Sequence, residues 1–291
     1  MNTPLVAPWA ERIARLHLGI DPVDALDRAR GPGRPPSAVV VAVEKVPLPH
    51  PLPPPLMPGP DDAIGLPTLH RSRTGRFALL FGTRTTDGAA RVPVRIVDPA
   101  GRYVPRRLSV PVPDLATVLA AEGTGAEPPR ALRPVLFPGP AYGTAPGTTL
   151  LLGRVVRPGP AREPVPWARI EAGLAGSAVV SWRAHADREG SFVLVVGPLA
   201  APAALASTGV LDVDVTVHAA PPPTASDPVD SPTGSRADPL HLLPVEQVGA
   251  LEAGDPVEGG TAIPPGHTRT VTATVRLARG RASRPAPFVV T

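Results

Sequence analysis

Two segments in the C-terminal half of the chain alternate strictly between apolar and polar residues. In residues 211–218 the apolar side chains stand at 211, 213, 215 and 217, and in residues 270–277 they stand at 271, 273, 275 and 277. A period of two places successive side chains on opposite faces of a β-strand. Both segments are therefore predicted to be strands of an antiparallel sheet that is buried on one face.

Short apolar runs bounded by Gly or Pro recur along the rest of the chain, as is typical of all-β domains. These further predicted strands are 16–20, 38–46, 77–81, 92–97, 108–112, 150–156, 167–172, 178–184 and 192–196. Helical periodicity is limited to 9–16 and 115–122, and Asp114 is a candidate N-cap for the second of these. The fold class predicted from this pattern is all-β.

Two stretches of the chain repeat each other. Residues 73–82 and 188–197 align without gaps and share Arg, Gly, Phe, Leu and Gly in five of ten places. In each stretch the first glycine, Gly75 or Gly190, is expected to supply the positive φ of a tight hairpin turn. The Phe two residues later is then the first inward residue of the returning strand. The repeat predicts two copies of one β unit.

The second copy carries a recognisable order of motifs. A strand at 152–156 precedes Glu-Pro-Val-Pro-Trp-Ala-Arg-Ile-Glu at 163–171, and Ala-Asp-Arg-Glu-Gly-Ser-Phe-Val-Leu-Val follows at 186–195. This order resembles carboxypeptidase regulatory-like domains, which are small sandwiches similar to transthyretin. The resemblance implies two tandem transthyretin-like or Ig-like antiparallel β-sandwich domains. It also implies an accessory role, since such domains space, stiffen or bind and carry no catalytic residues.

The repeat and the loop composition suggest domain boundaries. We expect an N-terminal arm or short helix at 1–15, a first sandwich at 16–114, a linker at 115–148 and a second sandwich at 149–291 with the C-terminal strands. The first sandwich contains a proline-rich insertion at 47–60, where polyproline II is favoured, and the second contains a loop rich in Pro, Ser, Thr and Asp at 219–238.

Composition sharpens this picture. The 44 Pro and 28 Gly residues approach a level that suggests disorder, but 43% apolar and 19% charged residues are able to form a core. An aromatic fraction of only 3% favours two or more small cores over one large core. The sequence shows no signal-peptide pattern and no apolar run long enough to span a bilayer, so we expect a cytoplasmic protein without a membrane partner.

No motif in the sequence encodes a reaction. The absence of Cys excludes disulfides and thiolate metal sites, and neither a serine-nucleophile elbow nor a phosphate-binding glycine loop occurs. His185 with Asp187, and Asp212 with Asp214, are read as surface pairs on strands more readily than as metal ligands. The net charge of +4 is dispersed, which does not favour nucleic acid as a partner. We expect no enzyme activity, cofactor or metal.

The densest basic cluster of the sequence consists of three arginines, Arg102, Arg106 and Arg107, with Tyr103 beside them. One interpretation is an exposed strand edge that is protected by charge against pairing with other chains. The other is a binding surface for an acidic protein partner.

Three aromatic residues are further candidates for partner binding. Trp167 and Trp182 on neighbouring predicted strands suit core packing, or alternatively a platform on which a sugar ring stacks. Phe288 lies in a terminal segment, 287–291, which together with 270–277 could add a strand to the sheet of a neighbouring chain. On that hypothesis, deletion of 286–291 abolishes incorporation into a particle and leaves the monomer folded.

These features lead to a functional expectation. We expect a non-enzymatic structural protein of a multi-protein complex whose partners are other protein subunits. By analogy it looks similar to accessory baseplate, cap or tube-associated components of phage-tail-like contractile injection systems, which would place it in the cytoplasm and in a particle released by lysis. The alternative is a carbohydrate or surface-polymer binding module. Copy number, symmetry and oligomeric state cannot be read from the sequence.

Overall fold

The computed structural model describes residues 15–26, 39–44, 69–81, 90–126, 128–197, 209–222, 240, 242–252 and 254–291. Several predicted segments lie outside these residues, namely the N-terminal arm up to residue 14, the proline-rich insertion 47–60 and residues 223–238 of the loop that follows residue 219.

Strands make up nearly all of the regular secondary structure in the described residues, which confirms the all-β prediction. The strands before residue 140 are β1 (Leu16–Ile20), β2 (Val23–Asp24), β3 (Val40–Val43), β4 (His70–Arg71), β5 (Phe77–Leu80), β6 (Arg91–Val97), β7 (Arg106–Pro111), β8 (Ala131–Leu132) and β9 (Val135–Leu136). The later strands are β10 (Thr149–Val156), β11 (Arg169–Leu174), β12 (Trp182–His185), β13 (Ser191–Val196), β14 (Val210–Ala219), β15 (Val245–Gln247), β16 (Arg269–Ala278), β17 (Ala282–Ser283) and β18 (Phe288–Val289).

Helical structure in the described residues is confined to one short helix, α1 (Leu115–Ala121). The Asp114 carboxylate accepts a hydrogen bond of 2.6 Å from the Thr117 backbone N–H, which satisfies one of the free donors at the helix start. This confirms the cap predicted from the sequence. In the described part of the chain no helix has the length and apolar character needed to cross a membrane.

The strands form two units that share one pattern of pairing. In the first unit, which we define as β1–β9, one sheet has the order β4-β5-β1-β8 and the other contains β7-β6-β3. In the second unit, β10–β14 with β16–β18, one sheet has the order β13-β10-β17 and the other β12-β11-β14-β16. The first strand of each unit pairs antiparallel with the strand after the repeated glycine turn and parallel with a late strand. The internal repeat is therefore visible in the topology.

The repeated motif occupies equivalent positions in the two units. Gly75 and Gly190 have φ values of +85° and +72°, and Phe77 and Phe192 are both buried, as predicted. The turn at Gly75 joins the paired strands β4 and β5, whereas the turn at Gly190 joins β12 and β13, which belong to different sheets. The tight turn itself is the same in both copies, closed by Ser72 N–H to the Arg76 carbonyl and by Asp187 N–H to the Ser191 carbonyl. Beyond the turn the strands stay paired in the first copy, and in the second copy they enter different sheets.

Each unit has its own hydrophobic core. The core of the second unit gathers inward residues from both of its sheets, including Leu151, Phe192, Val213 and Leu277. The core of the first unit is built in the same way around Leu18, and it also takes in Val248 from the segment after β15. Burial of alternate side chains on facing sheets is what the strand patterns predict.

The strand pairing departs from the predicted boundaries at two places. The segment 115–148, expected to be a linker, contributes β8 and β9, which pair in parallel with β1 and β2 and complete the first unit. β15 lies within 149–291 but pairs in parallel with β7 of the first unit. The chain thus returns from the second unit to the first before it forms β16, and this return ties the two units together.

Candidate functional site

Two of the predicted partner-binding arginines lie in the interior. Arg106 is fully buried and Arg107 is 3% exposed, so the expected exposed basic cluster is wrong at these two residues. Both lie on β7, which is covered by β15 instead of being open to solvent. A buried guanidinium group needs carboxylates and carbonyl oxygens to compensate for lost hydration, and the structure supplies both.

The first buried carboxylate is Glu44, which holds two arginines. Arg95 Nε donates to Glu44 Oε1 at 2.8 Å. Arg107 donates to both carboxylate oxygens, at 2.7 and 2.9 Å, in a bidentate pair. The third guanidinium nitrogen of Arg107, Nη1, donates to the Leu243 carbonyl oxygen at 3.0 Å, just before β15. We call residues 242–252, which contain β15, the returning segment. The Glu44 cluster anchors the start of this segment on the first unit.

The second buried carboxylate, Glu246, lies between the two units. Arg106 of the first unit donates to its two oxygens at 3.1 and 2.8 Å, and Arg169 of the second unit donates to Oε1 at 3.0 Å. We call Arg106, Glu246 and Arg169 the inter-unit triad. Burial opposes ionisation, yet the two guanidinium groups hold the pKa of Glu246 below its ordinary value. One carboxylate thus binds both units at once.

Arg106 also fixes the path of the chain around the triad. Its terminal nitrogens donate to the carbonyl oxygens of Val135 at 2.9 Å, Val257 at 2.5 Å and Glu258 at 3.3 Å. These carbonyls come from β9 and from the segment that leads from β15 to β16. A single planar side chain therefore fastens two separate segments to the first unit.

Two histidines extend the contact between the units. The His185 ring stacks on Phe137 with ring centroids 4.0 Å apart, and His267 Nε2 lies 3.0 Å from the Trp167 carbonyl oxygen. Burial, followed by the nearby charges of Arg169 and Arg106, keeps the pKa of His185 well below its ordinary value. Burial also lowers the pKa of His267. Both rings are therefore neutral near pH 7, which suits a cluster already rich in arginine.

The three aromatic candidates are core residues. Trp167 packs with Val104 and Leu243 between the units, and Trp182 belongs to the core of the second unit. The two indoles are 3% and 9% exposed, which agrees with the core-packing interpretation and leaves no open face for the alternative, a sugar-stacking platform. Phe288 is also buried in the second core, where its ring centroid lies 5.8 Å from that of Phe192. β18 pairs with β10 of its own chain and is not a free arm.

The other two residues of the basic cluster are tied to their own unit. Arg102 Nε donates to Asp98 at 3.3 Å, with about a third of the Arg102 side chain exposed. The Tyr103 hydroxyl donates to Asp24 at 2.8 Å, and Tyr142 donates to the same oxygen at 2.7 Å. Burial, followed by the bond to Asp24, raises the pKa of Tyr103, so this hydroxyl remains a donor. These contacts close the end of the first unit.

The carboxylates weighed as metal ligands have structural partners. Asp187 caps the Gly190 turn by accepting from the backbone N–H groups of Glu189 and Ser191 at 2.9 and 2.8 Å. Asp212 pairs with Arg276, and Asp214 accepts from Thr274 at 2.6 Å. Within the described ranges, no group of three or more His, Asp or Glu side chains could hold a metal ion.

One long strand edge lies at the outside of the second unit. β16 is the last strand of the sheet β12-β11-β14-β16, and its ten residues all pair with β14 on one side. The register continues to Arg279, whose N–H donates to the Gly209 carbonyl at 3.0 Å. Since backbone bonds alternate in an antiparallel ladder, positions 270, 272, 274 and 276 direct their N–H and C=O groups to the opposite side. Among the described residues no strand pairs with that side.

Two core-facing side chains of β16 are not fully buried. Alternation places Val271, Ala273, Val275 and Leu277 on the core side, and Leu277 is fully buried, but Ala273 is exposed and Val271 only half-buried. Residues 269–291 contain five arginines and no acid. Of these arginines, Arg276 has an ion-pair partner among the described residues, namely Asp212. We call the outward side of β16 the β16 edge.

Sequence reasoning missed the residues that organise the interior, Glu44, Glu246 and Arg169. The available signal was weak, because a charged residue inside an apolar run reads as the polar face of a strand until its partner is known. Glu44, Arg95 and Arg169 each occupy such runs. β16 was predicted as a strand, but the alternation did not show that, among the described residues, it is paired on one side only.

Comparison of the chain with family models, with curated proteins and with solved structures gave no match in any of the three.

Proposed function

We propose that this chain is a non-enzymatic structural subunit that joins other protein chains in a larger assembly. The observation that carries the proposal is the β16 edge, where a ten-residue strand directs outward backbone groups that pair with no other described strand. Natural proteins cover, shorten or interrupt strand edges of this kind unless another chain pairs with them.

The interior supports the same function. The carboxylates that are almost fully buried have structural partners: Glu44 pairs with Arg95 and Arg107 within the first unit, and Glu246 pairs with one arginine from each unit. Buried titratable groups are also the ones that catalytic sites use, because burial and neighbouring charges shift their pKa values. In this chain these two carboxylates are engaged in ion pairs. Two units coupled through buried ion pairs, with the long β16 edge unpaired among the described residues, are suited to a spacer or a connector in an assembly.

The finer proposal is an accessory component of a phage-tail-like contractile injection system, located at a baseplate, cap or tube. It is supported by the tandem β units and the open edge, which suit a small module that decorates or closes a repeating structure. The alternative of a carbohydrate-binding module is not proposed, because the side chains of Trp167 and Trp182 are buried.

The test is the state of the chain in the organism that encodes it. A tagged copy at its native locus should sediment with a high-mass particle in a fixed ratio to defined subunits, and electron microscopy of that fraction should show sheathed tubes if the finer proposal is right. Sedimentation of the whole pool as a free 30.0 kDa chain would overturn the structural function. A particle without a sheath or tube would overturn the finer proposal alone.

A further inference from the structure

The two units differ in what covers one equivalent edge. β7 in the first unit occupies the place that β16 occupies in the second, since β3-β6-β7 and β11-β14-β16 are both antiparallel runs beside the other sheet of their unit. The outer side of β7 is paired in parallel with β15. The outer side of β16 has no such strand among the described residues.

The backbone pattern of the two strands is the same. Val112 N–H donates to the Ala90 carbonyl, so positions 108 and 110 of β7 bond to β6 and position 109 faces outward. The Ser109 carbonyl indeed accepts from Val248 N–H at 3.0 Å, at the end of β15. In β16 the outward positions include Thr272 and Thr274. These positions offer the same donors and acceptors that β15 uses on β7.

Pairing with β15 also buries inward-facing side chains of β7. Leu108 lies on the inward face of β7 and is fully buried beneath the returning segment, to which Val248 belongs. In the second unit, Ala273 lies on the inward face of β16, opposite Val215 of β14 and next to the pair Thr216–Thr272. Ala273 is nevertheless exposed, because no described strand lies on the outer side of β16. A strand placed on the β16 edge would cover Ala273 and Val271 as the returning segment covers Leu108.

Charge selects the kind of strand. Arg269 is exposed at the first position of β16 and Arg281 is exposed three residues after its last position, and residues 269–291 carry no acidic side chain. An antiparallel pairing of this edge with a second copy would bring two such basic segments together, which is unfavourable. The strand that β7 receives carries Glu246 against arginine. An acidic segment is thus the complementary occupant.

We infer that the β16 edge binds an extended, acidic segment of a partner protein as a parallel strand, in the way that β7 binds β15. The segment places apolar residues at alternate positions over Val271 and Ala273 and acidic residues beside the arginines. This inference rests on the proposed function and adds to it the site, the direction and the chemistry of the partner.

A labelled peptide tests the inference on the full chain. The probe is an octapeptide of alternating glutamate and valine, and its binding is measured by fluorescence anisotropy at low salt. Thr272→Pro removes an outward N–H from the edge without removing a bond to β14. The matched control, Thr272→Val, removes the hydroxyl contact with Thr216 and keeps the N–H. We expect binding by the wild type and Thr272→Val, and at least about tenfold weaker binding by Thr272→Pro.

Direction and charge are tested with the same peptide. The chain contains no Cys, so Thr268→Cys and Ala278→Cys each provide a single labelling position at one end of β16. A quencher on the peptide N-terminus should quench a fluorophore at position 268 more than one at 278. An alternating lysine–valine peptide should bind at least about tenfold more weakly.

Several outcomes would overturn the inference. They are absence of binding, equal binding of the two peptides, stronger quenching at position 278, and a concentration-dependent dimer that Thr272→Pro abolishes, which would assign the edge to a second copy. The proposed function has a separate readout. If Thr272→Pro is recovered in the particle at the wild-type ratio, the edge inference fails and the structural function stands.

Discussion

Arg106 and Glu246 are 140 residues apart in the chain and form a two-pronged ion pair in which neither side chain is more than 2% exposed. Arg106 belongs to β7, and Glu246 belongs to the strand that returns from the second unit to cover β7. Since Glu246 also accepts from Arg169, the pair is the point at which the two units are fastened to each other.

Removal of the charge on Glu246 should destabilise both units. Glu246→Gln leaves Arg106 and Arg169 buried without a compensating carboxylate, and we expect the free energy of unfolding in urea to fall by about 3–5 kcal/mol. Asp212→Asn is the matched control, because its partner Arg276 lies on the exposed face of β16. The control should change stability little. Equal effects of the two variants would show that the buried triad does not hold the units together.

Stability should decrease when the pH falls below the ordinary pKa of histidine. The pKa values of His185 and His267 are lowered in the fold, so the unfolded chain takes up protons that the folded chain does not. The unfolding free energy should therefore drop below about pH 6.5, by up to ~1.4 kcal/mol per pH unit for each histidine. Loss of the Glu246 charge follows at lower pH, below its ordinary value of 4.5.

Urea unfolding at about pH 7.5 and about pH 5.5 measures this slope. His185→Phe keeps an aromatic ring against Phe137 and removes one titrating group. The variant should show a shallower loss of stability between the two pH values than the wild type. An unchanged slope in His185→Phe would mean that His185 is not a source of the acid sensitivity.

The turn glycine of the repeat should tolerate no side chain in the second unit. At Gly190 φ is +72°, and a β-carbon there would lie 2.5 Å from the Val155 carbonyl oxygen. Gly190→Ala should cost more than about 3 kcal/mol in unfolding free energy. Gly123→Ala is the matched variant, with φ at +80° and nothing within 4 Å, and should cost about 1 kcal/mol. Similar losses in the two would indicate that backbone strain alone sets the cost.

The C-terminal segment should be required for folding of the second unit. Phe288 and Val290 are 5% and 3% exposed in its core, and β18 pairs with β10. Phe288→Ala should lower the unfolding free energy by about 3–5 kcal/mol, whereas Val289→Ala, at a position 43% exposed, should change it little. The sequence-based expectation that a chain without 286–291 stays folded is thus replaced by the opposite prediction, which a thermal melt of the truncated chain checks.

Much of the fold follows from local patterns. The alternation in β14 matches the burial of Leu211, Val213, Val215 and Val217, and the cap at Asp114 starts α1 as predicted. The candidate sites were predicted less well. Arg106, Arg107, Trp167, Trp182 and Phe288 were considered for partner binding, and all five are buried. The alternation of a segment predicts that it is a strand, but it does not predict which distant segments pack on that strand.

The sequence by itself determined the all-β class, the two related units and the positions of the tight turns, because these depend on residues within a few positions of each other. Only the tertiary structure decided which edges are covered and which charges are buried. Glu44 lies 51 and 63 residues from its two arginines, and Glu246 lies 77 and 140 residues from its two. β15 crosses from one unit to the other to cover β7. Whether a charged side chain forms a buried ion pair or lies on the surface depends on a residue that is distant in the sequence. Whether a strand edge is covered also depends on distant segments. β16 remains an open edge because no described segment returns to cover it.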